Sequence, residues 1–109
     1  MLEFNGNDMT LTRGDTIYID TVIMTPTGLV YEVQEGDRIT FSVYDTTGGI
    51  DGFREKIVIQ KEFENRKLKL DRVDTAYLSK GVYEYRCVLE MDNEDKTKET
   101  YSTGKFILK

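Results

Sequence analysis

One continuous stretch decides the fold: LKL at residues 68–70, DRVDTAYLSK at 71–80 and GVYEYRC at 81–87. The first piece alternates apolar and charged residues, which predicts a short strand. The middle piece fits a helical turn, and the last piece returns to the two-residue period of a strand. A short strand, one helical turn and a long strand therefore follow one another directly.

The middle piece predicts one turn or two of helix near residues 72–79. Asp71 or Asp74 could cap its start, and Gly81 could end it. Helical spacing places three apolar side chains on one side of this turn, which we expect to lie over one end of the sandwich: Val73, Tyr77 and Leu78.

Turn signals recur along the rest of the chain with strand-like runs between them, a pattern typical of all-β proteins. The predicted strands are Met9–Thr12, Thr16–Thr25, Leu29–Val33 (a short edge segment), Arg38–Asp45, Phe53–Phe63, Lys67–Leu70, Val82–Met91 and Thr97–Leu108. A slip in the apolar period near Thr21 and Val22 predicts a bulge or bend there. We expect two further loops, residues 46–52 and the polar hairpin Asp92–Lys96.

This strand pattern favours a two-sheet sandwich over a closed barrel. The strand–turn–strand stretch corresponds to the E-to-F corner of an immunoglobulin-like sandwich, in which a buried tyrosine bonds the nearby backbone. Either Tyr83 or Tyr85 could fill that role. The predicted fold class is therefore all-β: an immunoglobulin-like, antiparallel sandwich of about seven strands with one helical turn, forming a single domain over residues 1–109.

Alternation within the predicted strands defines the expected core. The side chains predicted to point inward are Ile39, Phe41, Val43, Ile57, Ile59, Tyr83, Tyr85, Cys87, Leu89, Met91, Phe106 and Leu108. Arg38, Thr40, Ser42 and Tyr44 are predicted on the opposite face of their strand. Cys87 is then a small buried apolar residue.

Composition excludes several functions. The chain has 109 residues, a net charge of −5 and an isoelectric point near 4.8. An acidic surface repels phosphate backbones, so we expect no nucleic-acid partner. One cysteine cannot form an intrachain disulfide. The N-terminal residues do not fit a signal peptide, and no apolar run reaches the ~20 residues of a membrane helix, so we expect no membrane association.

The absence of histidine removes the commonest catalytic arrangements. A Ser-His-Asp triad, a Cys-His pair and a histidine metal site all require it. Carboxylates on the loops at 45–51 and 92–95 do not match the spacing of a calcium loop. We therefore expect a protein that is not an enzyme, with no cofactor, no metal and no small-molecule substrate.

Arg13-Gly14-Asp15 is a tripeptide that can engage integrins when it is exposed on a loop. Glycine and aspartate also dominate turns, because glycine accepts positive φ and aspartate bonds nearby amides. The tripeptide lies between two predicted strands, where a turn is required. A structural turn is the preferred interpretation.

Tyrosine carries the better interaction signal. Seven tyrosines occur without a tryptophan, and outward tyrosines beside arginine are favoured at protein interfaces. The alternative is that they only cover sheet surface, where tyrosine has good strand propensity. The candidate interface residues are Tyr18, Tyr31, Arg38, Tyr44 and Tyr101.

Several motifs together resemble a known family. They are LTRGDT (11–16), PTG (26–28), GDRITFSV (36–43), DTAYLSKGVYEY (74–85) and GKFIL (104–108). In this order, over nearly the full length, they resemble small immunoglobulin-like structural proteins of tailed phages and prophages, similar to the N-terminal domain of the phage baseplate upper protein. A baseplate upper protein carries further domains after this one.

The resemblance implies a virion structural protein without catalysis, at the baseplate, tail or capsid surface. It implies synthesis in the bacterial cytoplasm, and protein–protein interaction with other virion proteins or with itself. Segment 29–33 is the expected docking edge, because the charged 92–98 region disfavours strand addition. An adhesion or glycan-binding module, using tyrosine and the 46–52 loop, is the alternative.

Overall fold

The computed structural model describes residues 2–25, 27–45, 56–64 and 66–109. Its strands are β1 (Glu3–Asn5), β2 (Asp8–Leu11), β3 (Ile17–Asp20), β4 (Arg38–Asp45), β5 (Lys56–Glu62), β6 (Lys67–Leu70), β7 (Gly81–Glu90) and β8 (Lys98–Leu108); one helix, α1, spans Arg72–Ala76. The predicted 46–52 loop, the start of the predicted strand at 53–55, Pro26 and Asn65 lie outside the described residues.

The strands form two sheets that pack as a sandwich. The larger sheet has six strands in the order β1-β2-β8-β7-β4-β5, and the smaller has β3 and β6. The predicted all-β sandwich with a short helical turn is thus confirmed. One feature differs from the antiparallel expectation, because β2 pairs with β8 in parallel. The link at residues 12–16 carries the chain from β2 to the smaller sheet, which leaves β2 free to lie beside β8.

In the first third of the chain, the strands differ from the prediction in three ways. β1 was not predicted, because its three exposed residues show no alternation. The strand predicted at Thr16–Thr25 ends at Asp20, just before the predicted bend. Leu29–Val33 does not form a strand. This segment makes only an isolated antiparallel bridge, between Val30 and Met24.

The core lies between the sheets and follows the alternation of β4, β7 and β8. Its buried apolar side chains are Met9, Leu11, Ile17, Ile19, Ile23, Ile39, Phe41, Val43, Ile59, Phe63, Leu68, Leu70, Tyr83, Tyr85, Cys87, Leu89, Phe106 and Leu108. Phe41 is central, with its ring centroid 5.6 Å from that of Tyr85 and 6.2 Å from that of Phe106, the latter edge-on. Such tilted pairs add stability beyond the area they bury.

The prediction that Ile57 points inward was wrong. The β4–β5 ladder pairs Val43 with Ile59 but Tyr44 with Ile57, so Val58 is skipped. One extra residue in a strand reverses the facing of the side chains beyond it. Ile57 is consequently exposed, whereas Ile59 remains buried.

Helix α1 begins as predicted, and its buried residue is Thr75. The Asp71 amide donates a 2.6 Å hydrogen bond to Asp74 Oδ2 at its start, and the helix ends at Tyr77 rather than at Gly81. Thr75 is fully buried, while Val73 is exposed and Tyr77 is 90% exposed. The hydroxyl of Thr75 accepts a hydrogen bond from the turn before β3, described below, and Leu78, just after the helix, packs against the core.

Tyr83 is the corner tyrosine. Its hydroxyl donates a 2.7 Å hydrogen bond to the carbonyl of Ser79, four residues upstream, in the link between α1 and β7. Tyr85 has a different role, because its hydroxyl donates to the carbonyl of Asn7 in the β1–β2 turn. Both rings are buried. Each hydroxyl therefore attaches a different connection to β7: Tyr83 attaches the link from α1, and Tyr85 attaches the β1–β2 turn.

Candidate docking surfaces

The outer face of the six-stranded sheet carries two of the candidate interface residues, Arg38 and Tyr44. We define this outer face by the side chains of β4 and β7 that point away from the smaller sheet: Arg38, Thr40, Ser42, Tyr44, Glu84, Arg86, Val88 and Glu90. Opposite pairs along the ladder include Arg38 with Glu90 and Tyr44 with Glu84. Arg38 and Glu90 carry opposite charges, and such a cross-strand pair stabilises the pairing of β4 with β7.

Side-chain contacts hold both residues in place. The Arg86 guanidinium carbon lies 4.5 Å from the centroid of the Tyr44 ring, within range of a cation–π contact. Arg38 Nε donates a 2.8 Å hydrogen bond to Glu62 Oε1 on β5, and its Nη2 pairs with the same oxygen. Because Arg86 is stacked on Tyr44, both side chains are already ordered. They would therefore lose little conformational entropy when a partner binds.

Ser42 departs from the predicted exposure of this face. It is buried although it points outward, because Gln60 on β5 covers it and donates a 3.3 Å hydrogen bond to its hydroxyl. The hydrogen-bonded Ser42 and Gln60 therefore form a polar centre of the outer face. Arg38 and Tyr44 lie on either side of it, towards opposite ends of β4.

Tyr18 lies on the other layer of the sandwich. It is exposed on β3, where it is paired across the ladder with Lys69 of β6. Its outward direction agrees with the prediction. It cannot share one contact surface with Tyr44, because the two sheets and the core lie between them.

Tyr31 is half-buried and bonded inside the protein. Its hydroxyl donates a 2.7 Å hydrogen bond to Asp37 Oδ2, and this bond raises the pKa of the phenol. Asp37 also accepts the amides of Gln34 at 2.9 Å and Asp92 at 2.8 Å. Burial alone would raise the pKa of Asp37, but the amides of Asp92 and Gln34 and the Tyr31 hydroxyl hold it below its ordinary value. Asp37 thus joins loop 31–37 to the β7–β8 hairpin.

Tyr101 faces the interior side of β8. The β7–β8 ladder pairs Cys87 with Ser102 and Val88 with Thr100, so Tyr101 is the skipped residue of a bulge. Its hydroxyl lies 2.6 Å from Thr21 Oγ1, and burial raises its pKa. Burial also raises the pKa of the neighbouring Cys87 thiol, to about 11. Tyr31 and Tyr101 both pack against the core, instead of lying on an open sheet surface.

The Arg13-Gly14-Asp15 tripeptide is a structural turn, as preferred from the sequence. Gly14 has φ of +86°, and its amide donates a 2.8 Å hydrogen bond to the hydroxyl of Thr75 in α1. The Arg13 amide bonds the carbonyl of Lys109 at 2.9 Å. These bonds attach the turn to the helix and to the end of β8.

An apolar surface lies on the chain that links β3 to β4 and on β1, and sequence reasoning indicated only its Leu29 and Val30 part, within the expected docking edge 29–33. We call it the hairpin patch and define it by five side chains, each between 50% and 68% exposed: Phe4, Val22, Met24, Leu29 and Val30. Phe4, Val22 and Met24 line one notch of about 370 Å³, together with Tyr101. Sequence 21–31, TVIMTPTGLVY, contains no charged residue, and that run was the available signal.

A larger, open cleft lies beside the hairpin patch. It has a volume of about 760 Å³ and is lined in part by Val33, Ile39, Phe63 and Arg66. Across the residues that the structure describes, no three cysteine, aspartate or glutamate side chains are placed to hold a metal ion. No helix in that same part of the chain is long and apolar enough to cross a bilayer.

The five candidate residues therefore separate into three environments. Arg38 and Tyr44 share the outer face, Tyr18 lies on the smaller sheet, and Tyr31 and Tyr101 are bonded internally. The 46–52 loop, on which a glycan-binding platform depends, lies outside the described residues. Comparisons with protein-family models, with curated proteins and with solved structures found no match to this chain.

Proposed function

We propose that this chain is a non-catalytic structural or assembly component of a phage or prophage virion, at the baseplate, tail or capsid surface. It acts by docking to other proteins. The resemblance of its motifs to small phage immunoglobulin-like proteins motivates the virion assignment. The single observation that supports docking is the pre-ordered pair of Tyr44 and Arg86 on the outer face of a six-stranded sheet.

Physical arguments favour this outer face as a contact surface. Tyrosine and arginine are enriched among the residues that dominate binding energy at protein interfaces. β4 and β7 are each paired with a neighbouring strand on both sides, so the outer face is ordered before a partner binds and less of the interaction energy is lost to ordering. The opposed glutamate and arginine side chains of β4 and β7 supply the charge pattern that fixes the orientation of a partner.

Detection of the protein in purified particles tests the virion assignment. Particles from an induced lysogen, banded on a density gradient and washed with high salt, are examined with an antibody against the chain and by mass spectrometry. We expect the chain to band with the particles. A chain that is abundant in the lysate but absent from banded particles would contradict the assignment.

Two matched variants test which face docks. Tyr44→Ala removes the aromatic ring from the outer face, whereas Tyr18→Ala makes the same change on the smaller sheet. We expect Tyr44→Ala to lower incorporation into particles at least several-fold, with Tyr18→Ala near wild type. The reverse pattern would exclude the outer face as the docking surface.

A further inference from the structure

The backbone beneath the hairpin patch has open edges. The Thr25 amide bonds the carbonyl of Leu29 at 2.7 Å, and the Tyr31 amide bonds the carbonyl of Ile23 at 2.7 Å. These bonds flank the bridge between Met24 and Val30, which is therefore a non-hydrogen-bonded pair. Side chains in such a pair are close together, and the backbone groups of both residues point away from the hairpin.

Two further apolar side chains lie beside this pair. Met24 and Val30 are adjacent across the bridge, and Met24 shares the notch with Phe4 and Val22. The five side chains of the patch together expose on the order of 500 Å² of apolar surface, which is in the range of the largest apolar patch on a monomer, and such patches are often functional.

Charge distinguishes the patch from the rest of the surface. Charged residues make up 32% of the chain, yet the eleven residues from 21 to 31 include none. Natural sheet proteins use charged side chains to keep such edges from pairing, and this hairpin lacks that protection. Asp20 is the one charged residue among those that line the notch. Two copies that each carry a net charge of −5 repel each other less where they meet through a surface with so few charges.

We propose that the hairpin patch is the contact surface for a second copy of this chain, in a twofold dimer that buries Met24 and Val30 of both copies. A twofold contact uses the same patch twice, so it buries on the order of 1,000 Å² in total, about the minimum for a specific interface. The dimer is accordingly weak and dependent on concentration. This inference rests on the proposed assembly role, in which two copies joined here leave both outer faces available for other virion proteins.

Sedimentation equilibrium of the full chain over a wide concentration range tests the proposal, with a matched pair of variants. Val30→Lys places a charge in the patch, and Val82→Lys makes the same change at a valine of equal exposure on β7, 51% against 50%. We expect wild type and Val82→Lys to dimerise alike, and Val30→Lys to weaken dimerisation at least tenfold. Thermal melting establishes that both variants are folded.

Two further measurements address the contact directly. Added salt should strengthen the dimer, because it screens the repulsion between acidic copies, whereas a contact made by ion pairs would weaken. Met24→Cys supplies one exposed thiol in addition to the native Cys87, which is buried. A bis-maleimide should link two copies through this thiol more efficiently than through Val82→Cys. This readout remains available if Val30→Lys does not fold.

A chain that stays monomeric at millimolar concentration, or equal weakening by both lysine variants, would overturn the dimer. The virion assignment would remain, since it depends on the particles. Conversely, absence from particles together with a Val30-dependent dimer would overturn the assignment and keep the contact.

Discussion

Gly104 of β8 lies directly against the carbonyl of Asn7 in the β1–β2 turn, so closely that a Cβ atom at position 104 would overlap with it. The same Cβ would also meet the ring of Tyr85, whose hydroxyl donates to that carbonyl. Because Gly104 has no side chain, β8 can approach both the β1–β2 turn and the Tyr85 ring of β7.

Gly104→Ala should destabilise the protein by about 1–3 kcal/mol, the usual cost of inserting a methyl group into a closely packed site. Its backbone is not in the left-handed region, so the cost comes from the overlap. Urea unfolding measures it, with Thr103→Ala, an exposed neighbour on the same strand, as a control expected within about 0.5 kcal/mol of wild type. Equal stability of the two variants would show that the contact yields easily.

Tyr83→Phe should lower the free energy of unfolding by about 1–2 kcal/mol, because it leaves the Ser79 carbonyl without its buried donor. Tyr77→Phe makes the same change at a side chain that is almost fully exposed. We expect this control to unfold like wild type. If the two variants are indistinguishable, the corner hydrogen bond makes no net contribution.

Asp37 should make stability depend on pH at the acid end. Its pKa in the folded protein lies below the ordinary value, so its contribution is fully present above an unfolded pKa of about 3.9 and is lost as pH falls through the folded pKa. Urea unfolding of wild type and Asp37→Asn between neutral pH and pH 3 tests this. The difference between them should shrink towards low pH; a difference that stays constant would contradict it.

Cys87 should react slowly with thiol reagents in the folded protein. It is buried beside Tyr101, and burial raises its pKa to about 11, so little thiolate forms near neutral pH. Labelling with a chromogenic disulfide at pH 8 should become fast only in denaturant. Rapid labelling of the native chain would show that Cys87 is not buried. Because the folded thiol holds its proton more tightly, the stability from this site is present at neutral pH and declines as the pH rises towards 11.

Strands with strict alternation were predictable. β4 spans the predicted Arg38–Asp45, and β7 and β8 differ from prediction by one residue at most at each end. β4 and β7 bury every second residue along much of their length, so the period alone determines which of their side chains enter the core. In β8 the alternation is confined to Phe106 and Leu108, at its end.

Side chains at irregular positions were not predictable from that period. Ile57 and Tyr101 both lie at bulges, where one extra residue changes the facing of the strand. Thr75 is buried because of a hydrogen bond to Gly14, which is distant in sequence. Only Leu29 and Val30 of the hairpin patch fell within the expected docking edge, because its apolar residues fit a strand pattern and the pattern does not tell whether a second sheet covers them.

The parallel pairing of β2 with β8 has a mechanical consequence. Met9, Thr10 and Leu11 lie beside Phe106, Ile107 and Leu108 in the same direction. Tension applied to the N-terminal end of β2 and the C-terminal end of β8 would slide the two strands lengthwise, loading all their hydrogen bonds at once instead of peeling them apart singly. Under this direction of load, the β2–β8 contact should resist pulling more strongly than a contact whose hydrogen bonds break one after another.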